Sequence, residues 1–179
     1  PVIDDQTSGT SQLVRDSWAI AEYLETTYPD NPSLFGGDGG LAVTKFIQSW
    51  NDSVLVRGMI SLFLLDIHDH LTPEDKVYFR TSREARFKRT LEEVQEGREA
   101  RLKAFQNSLF PLRLLIKDQP FLGGEQPLYA DYIIFGCFQW ARVTTDFVML
   151  KSDDPVKAWF DRCLDLHDGL GRSALGYSW

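Results

Sequence analysis

The stretch that decides the fold is residues 16–29, which read Asp-Ser-Trp-Ala-Ile-Ala-Glu-Tyr-Leu-Glu-Thr-Thr-Tyr-Pro. Apolar side chains recur at helical spacing after Ser17, a residue type that caps the N-termini of helices. The pair Tyr28-Pro29 disfavours helix beyond it, because the residue before a proline is pushed out of the helical conformation. The segment is therefore predicted to be one helix with Ser17 as its N-cap.

The residues before this helix predict a β-hairpin. Pro1–Asp5 has the composition of a short strand, and Gln6–Gln12 is a polar turn rich in Thr, Ser and Gly. Leu13-Val14 follows as a second short strand that closes the hairpin. The chain thus opens with two strands and a helix.

Beyond this unit the pattern is helical. Residues 30–40 form a linker of mainly Asn, Pro, Ser, Asp and Gly, and the fold class predicted for residues 41–179 is a helical bundle. The predicted helices are Leu41–Leu71, a segment capped by Thr72 and opened by Pro73, a stripe from Phe87 to Leu112 that Pro111 kinks or ends, Ala130–Met149 and Pro155–Leu166. A turn-rich loop is predicted over Asp118–Leu128.

The bulk composition limits the partners. The chain has 179 residues and a formal net charge of −7, which argues against nucleic acid or an anionic membrane as the main partner. Cys137 and Cys163 do not indicate an oxidising compartment, and no apolar run is long enough to span a bilayer. We therefore expect a cytoplasmic globular protein.

The start of the first predicted helix carries the clearest chemistry. A helix that opens at Ser17 offers backbone N–H groups, a partial positive charge and a hydroxyl at one point, which together suit a carboxylate. Asp16 offers a counter-charge for an ammonium group. The two residues would fit the zwitterionic end of an α-amino acid, although they could also do no more than cap the helix.

A second feature is the segment Phe121-Leu122-Gly123-Gly124, followed by Pro127-Leu128-Tyr129-Ala130-Asp131 and a long apolar helix. The first N–H groups of a buried helix need partners other than water. The side chain of Asp131 can supply one. We interpret this segment as a folding element.

Taken together, the two segments resemble those of cytosolic glutathione transferases. The run from Pro1-Val2-Ile3 to Tyr28-Pro29 is similar to the end of their thioredoxin-like, glutathione-binding domain, and residues 121–133 are similar to the entry of the central helix in their helical domain. The stretch from Asp75 to Glu93 resembles the fungal etherase-related branch, which is similar to bacterial lignin β-etherases. The resemblance implies residues 1–29 as the remnant of the first domain, 30–40 as linker and 41–179 as the all-helical domain.

The resemblance also implies functional residues. The proline that matches Pro1 is cis in the family, and the backbone beside it, at Val2, pairs with the cysteinyl part of glutathione. Asp16 and Ser17 match the residues that hold the γ-glutamyl end. Where the family has Ser or Thr as N-cap of the central helix this chain has Leu128, so we expect Asp131 to cap differently or less well.

Trp50, Met59 and Phe63 are candidates for a hydrophobic co-substrate pocket between the domains. The family also implies a homodimer, with glutathione as co-substrate.

The family's catalytic Ser, Cys or Tyr matches nothing in the chain. That residue lies upstream of the proline matching Pro1, and the chain begins at Pro1 rather than at a methionine. We therefore expect a chain without the segment that carries catalysis, derived from a transferase that conjugates hydrophobic aromatic compounds, as in detoxification, or cleaves their ethers. The alternatives are a non-catalytic ligandin that sequesters aromatic compounds and a pure protein-interaction module.

Two further motifs are weak. The segment His68-Asp69-His70 does not place its two imidazoles on one helix face, so no metal site is predicted. Residues 36–40 are glycine-rich but lack the Lys-Ser/Thr pair of a phosphate-binding loop. Neither motif changes the interpretation.

Overall fold

The first unit of the chain is a β-hairpin packed on one helix. The computed structural model describes all residues from Pro1 to Trp179. Strands β1 (Val2–Asp5) and β2 (Gln12–Arg15) pair antiparallel, with Val2 opposite Arg15 and Asp5 opposite Gln12. The hairpin is followed directly by helix α1 (Ser17–Thr27). The predicted hairpin and helix are confirmed.

The rest of the chain is helical. Residues 28–39 contain no regular element and lead into eight further helices, one of which follows a π-helical segment. Their bounds are α2 (Gly40–Trp50), the π-helical segment (Asn51–Val56), α3 (Arg57–Asp69), α4 (Pro73–Phe87), α5 (Leu91–Gln95), α6 (Arg98–Ser108), α7 (Phe110–Ile116), α8 (Tyr129–Thr144) and α9 (Pro155–Ser173). The predicted mainly helical class is confirmed, and no helix combines the length and the apolar character that a membrane span needs.

Several helix ends differ from the prediction. Thr72 caps α4 as predicted, but the stripe up to Leu112 is divided among four helices, with Pro111 in the first turn of α7. Helix α8 ends at Thr144 instead of Met149. Helix α9 runs to Ser173, interrupted by non-helical backbone at residues 166–169.

The predicted helix Leu41–Leu71 is not continuous. It contains the π-helical segment and, inside α3, a kink at Phe63, where φ is −147° and ψ is 23°. A kink frees backbone groups that must find other partners when they are buried. Here the side chains of Gln95, Arg98 and Arg101 supply them.

The distances show how the kink is satisfied. Gln95 Oε1 accepts the N–H of Leu65 at 2.8 Å, Arg98 donates to the carbonyl of Leu62 at 3.2 Å, and Arg101 donates to the carbonyl of Ser61 at 3.0 Å. The carboxylate of Asp66 then fixes two of these side chains, because it accepts from Gln95 at 2.8 Å and from Arg98 at 2.7 Å. The kink is thus built jointly by α3, α5 and α6.

Helix α8 is the centre of the core. Its fully buried Ile134 and Phe138 pack in one cluster with residues of α3, α6, α7 and α9. Leu128, the N-cap residue of α8, has no side-chain acceptor, but the fully buried Asp131 in the first turn directs its carboxylate back to the residues before the helix. Its carboxylate accepts from the N–H groups of Leu122, Gly123 and Leu128 at 2.8, 3.4 and 3.0 Å. Asp131 therefore caps α8 differently from a Ser or Thr N-cap, as predicted.

A salt bridge joins α7 to the start of α9. Arg113 binds the carboxylate of Asp154 through Nη2 at 2.6 Å and Nε at 3.0 Å, and Asp154 caps α9 by accepting the N–H of Val156 at 3.0 Å. Burial alone would raise the pKa of Asp154, but the hydrogen bonds from Arg113 and Val156 outweigh it and leave the pKa below its usual value. The native state therefore favours the charged carboxylate.

This pair predicts a pH dependence of stability. A depressed native pKa stabilises the fold above the unfolded value of 3.8 and loses that contribution as pH falls through the native pKa. We expect Asp154→Asn to lower the free energy of unfolding by about 1–2 kcal/mol at pH 7, and the difference from wild type to shrink below about pH 4. Urea titrations at pH 7 and pH 3 measure both values, and a difference independent of pH would contradict the assignment.

Candidate functional site

The junction between β2 and α1 is where the structure gathers the predicted ligand-binding residues. Asp16, not Ser17, is the N-cap of α1, since its Oδ1 accepts from the N–H groups of Trp18 at 3.0 Å and Ala19 at 3.2 Å. The prediction that Ser17 caps the helix is therefore wrong by one residue. Two of the helix N–H groups expected to be free are taken by Asp16.

The backbone of Asp16 is unusual. Its φ is 77° and its ψ is 136°, in a region that non-glycine residues occupy at a cost and mainly at functional sites. The conformation turns the chain sharply from strand to helix. It also leaves Ser17 exposed as the first helical residue, with neither its N–H nor its hydroxyl hydrogen-bonded within the chain.

This arrangement leaves a compact set of unused polar groups. The N–H and Oγ–H of Ser17 are donors at the positive end of a helix, and Oδ2 of Asp16 is an acceptor that the cap does not use. A carboxylate and an ammonium group on one ligand atom would find both partners here. Asp16 and Ser17 thus offer these groups side by side, with two fewer free backbone donors than the sequence suggested.

Pro1 and Val2 lie beside the junction. The carbonyl of Pro1 accepts the N–H of Asp16 at 3.1 Å, and the side chain of Val2 is 57% exposed. Strand β1 is paired on one side only, with β2. The backbone of Val2 therefore lies next to an open strand edge that an extended peptide can join.

The junction is also attached to the helical bundle. The Tyr129 hydroxyl, at the start of α8, donates to the carbonyl of Ser17 at 3.1 Å. The rings of Trp18, Phe35 and Tyr129 pack with centroids 5.6–6.2 Å apart, and Lys45 Nζ of α2 lies 3.9 Å above the Trp18 ring. The contact of Tyr129 with this junction was not predicted from the sequence, because Tyr129 lies 112 residues from Ser17 along the chain.

An apolar surface begins at this contact. Tyr129, Ile133, Gly136, Trp140 and Val143 share one side of α8, because they recur at helical spacing. Trp140 and Val143 are 36% and 37% exposed, and a Cβ at Gly136 would meet no atom within 4 Å. This surface, the open face of α8, runs for about 20 Å from the Ser17 contact.

The three residues predicted to line the co-substrate pocket lie apart from one another. Met59 is fully buried, with Cys137 Sγ 3.7 Å from its sulfur, and Phe63 is fully buried with its ring edge-on to Trp140 at 5.0 Å between centroids. Trp50 lines a cavity of about 220 Å³ between α2 and α7, together with Phe46 and Ile47. The three therefore do not form one pocket in this structure, and only Phe63 supports the open face of α8, from beneath Trp140.

The remaining candidate groups are the two cysteines and the histidines of the segment 68–70. Burial raises the pKa of Cys137 and of Cys163 to about 12, so neither thiol is a thiolate at neutral pH. His68 Nδ1 lies 3.2 Å from Asp69 Oδ1, and no group of three or more His, Cys, Asp or Glu side chains has the geometry of a metal site.

The sequence matches the family model of the glutathione S-transferase C-terminal domain over residues 42–166. This match covers more than half of the chain. The chain belongs to the glutathione S-transferase family.

Several relatives of this glutathione S-transferase chain are fungal proteins. The glutathione S-transferase-like protein ustS of Aspergillus flavus is 28% identical over 145 residues, which is 75% of this chain and 52% of ustS. Glutathione transferase GSTFuA2 of Phanerochaete chrysosporium is 30% identical, with a TM-score of 0.71 over 95% of this chain and 66% of its own. A glutathione S-transferase of Ceriporiopsis subvermispora, solved in complex with glutathione, is 25% identical with a TM-score of 0.70 over 96% and 67%.

The chain matches only part of the length of each of these relatives. The chain spans about half the length of the curated relative and about two thirds of the solved ones.

Proposed function

We propose that the chain is the ligand-binding part of a glutathione transferase, in which Asp16 and Ser17 hold the γ-glutamyl end of glutathione. The observation that carries the proposal is the free N–H and hydroxyl of Ser17 beside Asp16, at the positive end of α1. Pro1 and Val2 offer an open strand edge for the cysteinyl part. The solved relative with bound glutathione supports the choice of ligand.

Calorimetric titration of the chain with glutathione tests this proposal. One saturable site is expected. Glutamate alone should compete with glutathione, because the site is proposed to recognise the α-amino acid end, whereas the Cys-Gly dipeptide should not. Absence of any heat of binding at millimolar glutathione would reject the site.

The second substrate is proposed to be a hydrophobic aromatic compound on the open face of α8. This face starts at the Tyr129–Ser17 contact and presents the exposed ring of Trp140. An aromatic ring that stacks there gains apolar burial and a favourable ring–ring geometry. Ether cleavage is proposed beside simple conjugation because the stretch from Asp75 to Glu93 resembles the fungal etherase-related branch.

In either reaction the glutathione thiolate is the nucleophile. In ether cleavage the sulfur forms a bond to the carbon that carries the aryloxy group, the C–O bond breaks, and the released phenolate takes a proton. No thiol or hydroxyl of this chain is proposed to stabilise the thiolate.

Trp140 gives a direct test of the aromatic site. Trp140→Ala is expected to weaken binding of a naphthyl or phenyl ether by about tenfold, since one ring contact of about 1–1.5 kcal/mol is lost. Quenching of tryptophan fluorescence measures the affinity, and Trp50→Ala is the matched control because Trp50 lies at another cavity. Loss of affinity in the Trp50 variant alone would place the aromatic site between α2 and α7.

A ligandin role is the second candidate. It is favoured by the exposed ring of Trp140 on the open face of α8, which can bind an aromatic compound whether or not a reaction follows. Turnover of an aromatic electrophile separates a transferase from a ligandin that only binds.

We further propose that the protein forms a homodimer in the cytoplasm. The support is an apolar surface on α2, where Val43 and Phe46 are 62% and 70% exposed beside the cavity lined by Trp50. Sedimentation equilibrium of wild type and Phe46→Glu tests whether this surface is the interface.

A further inference from the structure

Asp16 is the single residue that joins the hairpin to α1. β2 ends at Arg15 and α1 begins at Ser17, so the angle between strand and helix is set by the φ and ψ of Asp16 alone. Its φ of 77° is unfavourable for a residue with a Cβ and persists only where the surroundings fix it. Something else in the unit must therefore hold hairpin and helix in place.

The carboxylate of Asp5 makes that second connection. Its Oδ2 accepts the hydroxyl of Tyr23 at 2.8 Å and the hydroxyl of Tyr28, while its Oδ1 accepts the N–H and the hydroxyl of Thr7 at 2.9 and 2.7 Å. Tyr23 lies in α1 and Tyr28 is its C-cap. One side chain at the end of β1 thus binds the middle and the end of α1.

The two connections lie at opposite ends of the hairpin. Val2 pairs with Arg15 next to the Asp16 joint, whereas Asp5 pairs with Gln12 three residues further along β1, about 10 Å away. Two elements that are fixed at two separated points cannot rotate about either point. The side chains of Ile3 and Asp5 lie on one side of β1, so the α1-facing side of the hairpin includes both.

The charge of Asp5 suits this role. The hydrogen bonds from Tyr28, Thr7 and Tyr23 hold the pKa of Asp5 well below its usual range, so it stays ionised at neutral pH. Hydrogen bonds to an ionised acceptor are the stronger kind. Asp4, the neighbouring carboxylate, binds only Ser11 and Gln6 within the hairpin.

We propose that Asp5 is a positioning residue: through Tyr23 and Tyr28 it holds the hairpin on α1 at the angle that keeps Asp16 in its ligand-binding conformation. The inference rests on the proposed glutathione site at Asp16 and Ser17. On this proposal the side chain of Asp5 affects the affinity for glutathione although it contacts neither Asp16 nor Ser17.

The test compares Asp5→Asn with Asp4→Asn, which makes the same change of charge one residue away. Two quantities are measured, the dissociation constant for glutathione by calorimetry and the ¹³Cα and carbonyl chemical shifts of Asp16, which report the sign of its φ. For Asp5→Asn we expect binding about tenfold weaker and Asp16 shifts that move toward those of negative φ. For Asp4→Asn we expect neither change.

A merely structural role gives a different result. If Asp5→Asn lowers the melting temperature but leaves the Asp16 shifts and the dissociation constant within twofold of wild type, the positioning role is wrong. Tyr28→Phe removes a single donor and serves if Asp5→Asn does not fold, with a smaller change in the same direction expected.

The Asp16 shifts are read without ligand, which separates this inference from the proposed function. Shifts that move in Asp5→Asn while wild type fails to bind glutathione would reject the proposed function and keep the tie between Asp5 and Asp16. Binding that Ser17→Ala weakens but Asp5→Asn does not would keep the proposed function and reject the positioning role.

Discussion

Replacing Asp131 by alanine is expected to lower the free energy of unfolding by about 3–5 kcal/mol, because it leaves several buried donors without an acceptor. Asp131 is fully buried and accepts from Trp159 Nε1 at 2.9 Å and from three backbone N–H groups before α8, those of Leu122, Gly123 and Leu128. Urea denaturation followed by circular dichroism measures the loss.

Two variants control this prediction. Asp118→Ala makes the same substitution at an exposed carboxylate of the preceding loop and should change stability by less than about 0.5 kcal/mol. Trp159→Phe removes one donor and keeps most of the ring, so a smaller loss of about 1–2 kcal/mol is expected. An Asp131→Ala variant no less stable than Asp118→Ala would show that the N–H groups find other partners.

Ser17→Ala is expected to weaken glutathione binding by about 10- to 150-fold, or roughly 1.5–3 kcal/mol, the usual value of one hydrogen bond to a charged group. The hydroxyl makes no hydrogen bond within the chain, so its removal should leave folding unchanged. Calorimetry measures the affinity, and Ser178→Ala in the exposed tail is the matched control.

The variant Asp16→Asn distinguishes two roles of Asp16, the capping of α1 and the proposed binding of the ligand ammonium group. Asparagine tolerates positive φ and can still accept from Trp18 and Ala19, so the helix start should persist while the counter-charge for the ligand ammonium is lost. Weaker binding with an unchanged melting temperature is expected. Wild-type affinity in both Ser17→Ala and Asp16→Asn would mean that the γ-glutamyl end is held elsewhere.

The structural features that could be predicted from the sequence are those that depend on residues close together in the chain. The hairpin, the helix after Ser17 and the cap at Thr72 follow from local signals, and all appear in the structure. The one-residue error at Asp16 has a physical cause: Asp and Ser both cap helices well, and only the backbone at Asp16, with φ of 77°, decides between them. That angle is not readable from residue types.

The positions of the three predicted pocket residues follow partly from their spacing. Trp50 precedes Met59 by nine residues and Phe63 by thirteen, so a regular α-helix would already direct Trp50 away from the other two. The π-helical segment Asn51–Val56, with more residues per turn, changes the rotation of the later residues about the helix axis, and this segment was not predicted. Trp50 lies at the cavity between α2 and α7, whereas Met59 and Phe63 are buried in the core; a role of the three in co-substrate binding stays a prediction.

The kink at Phe63 makes the shape of α3 depend on residues that lie far from it in the sequence. Its unpaired backbone groups are satisfied only by side chains that lie about 30–40 residues later in the sequence. We therefore expect α3 to reach its final bend in a growing polypeptide only after residues 95–101 have been synthesised and have packed against it. Its bent shape then depends on tertiary contacts rather than on helical propensity alone.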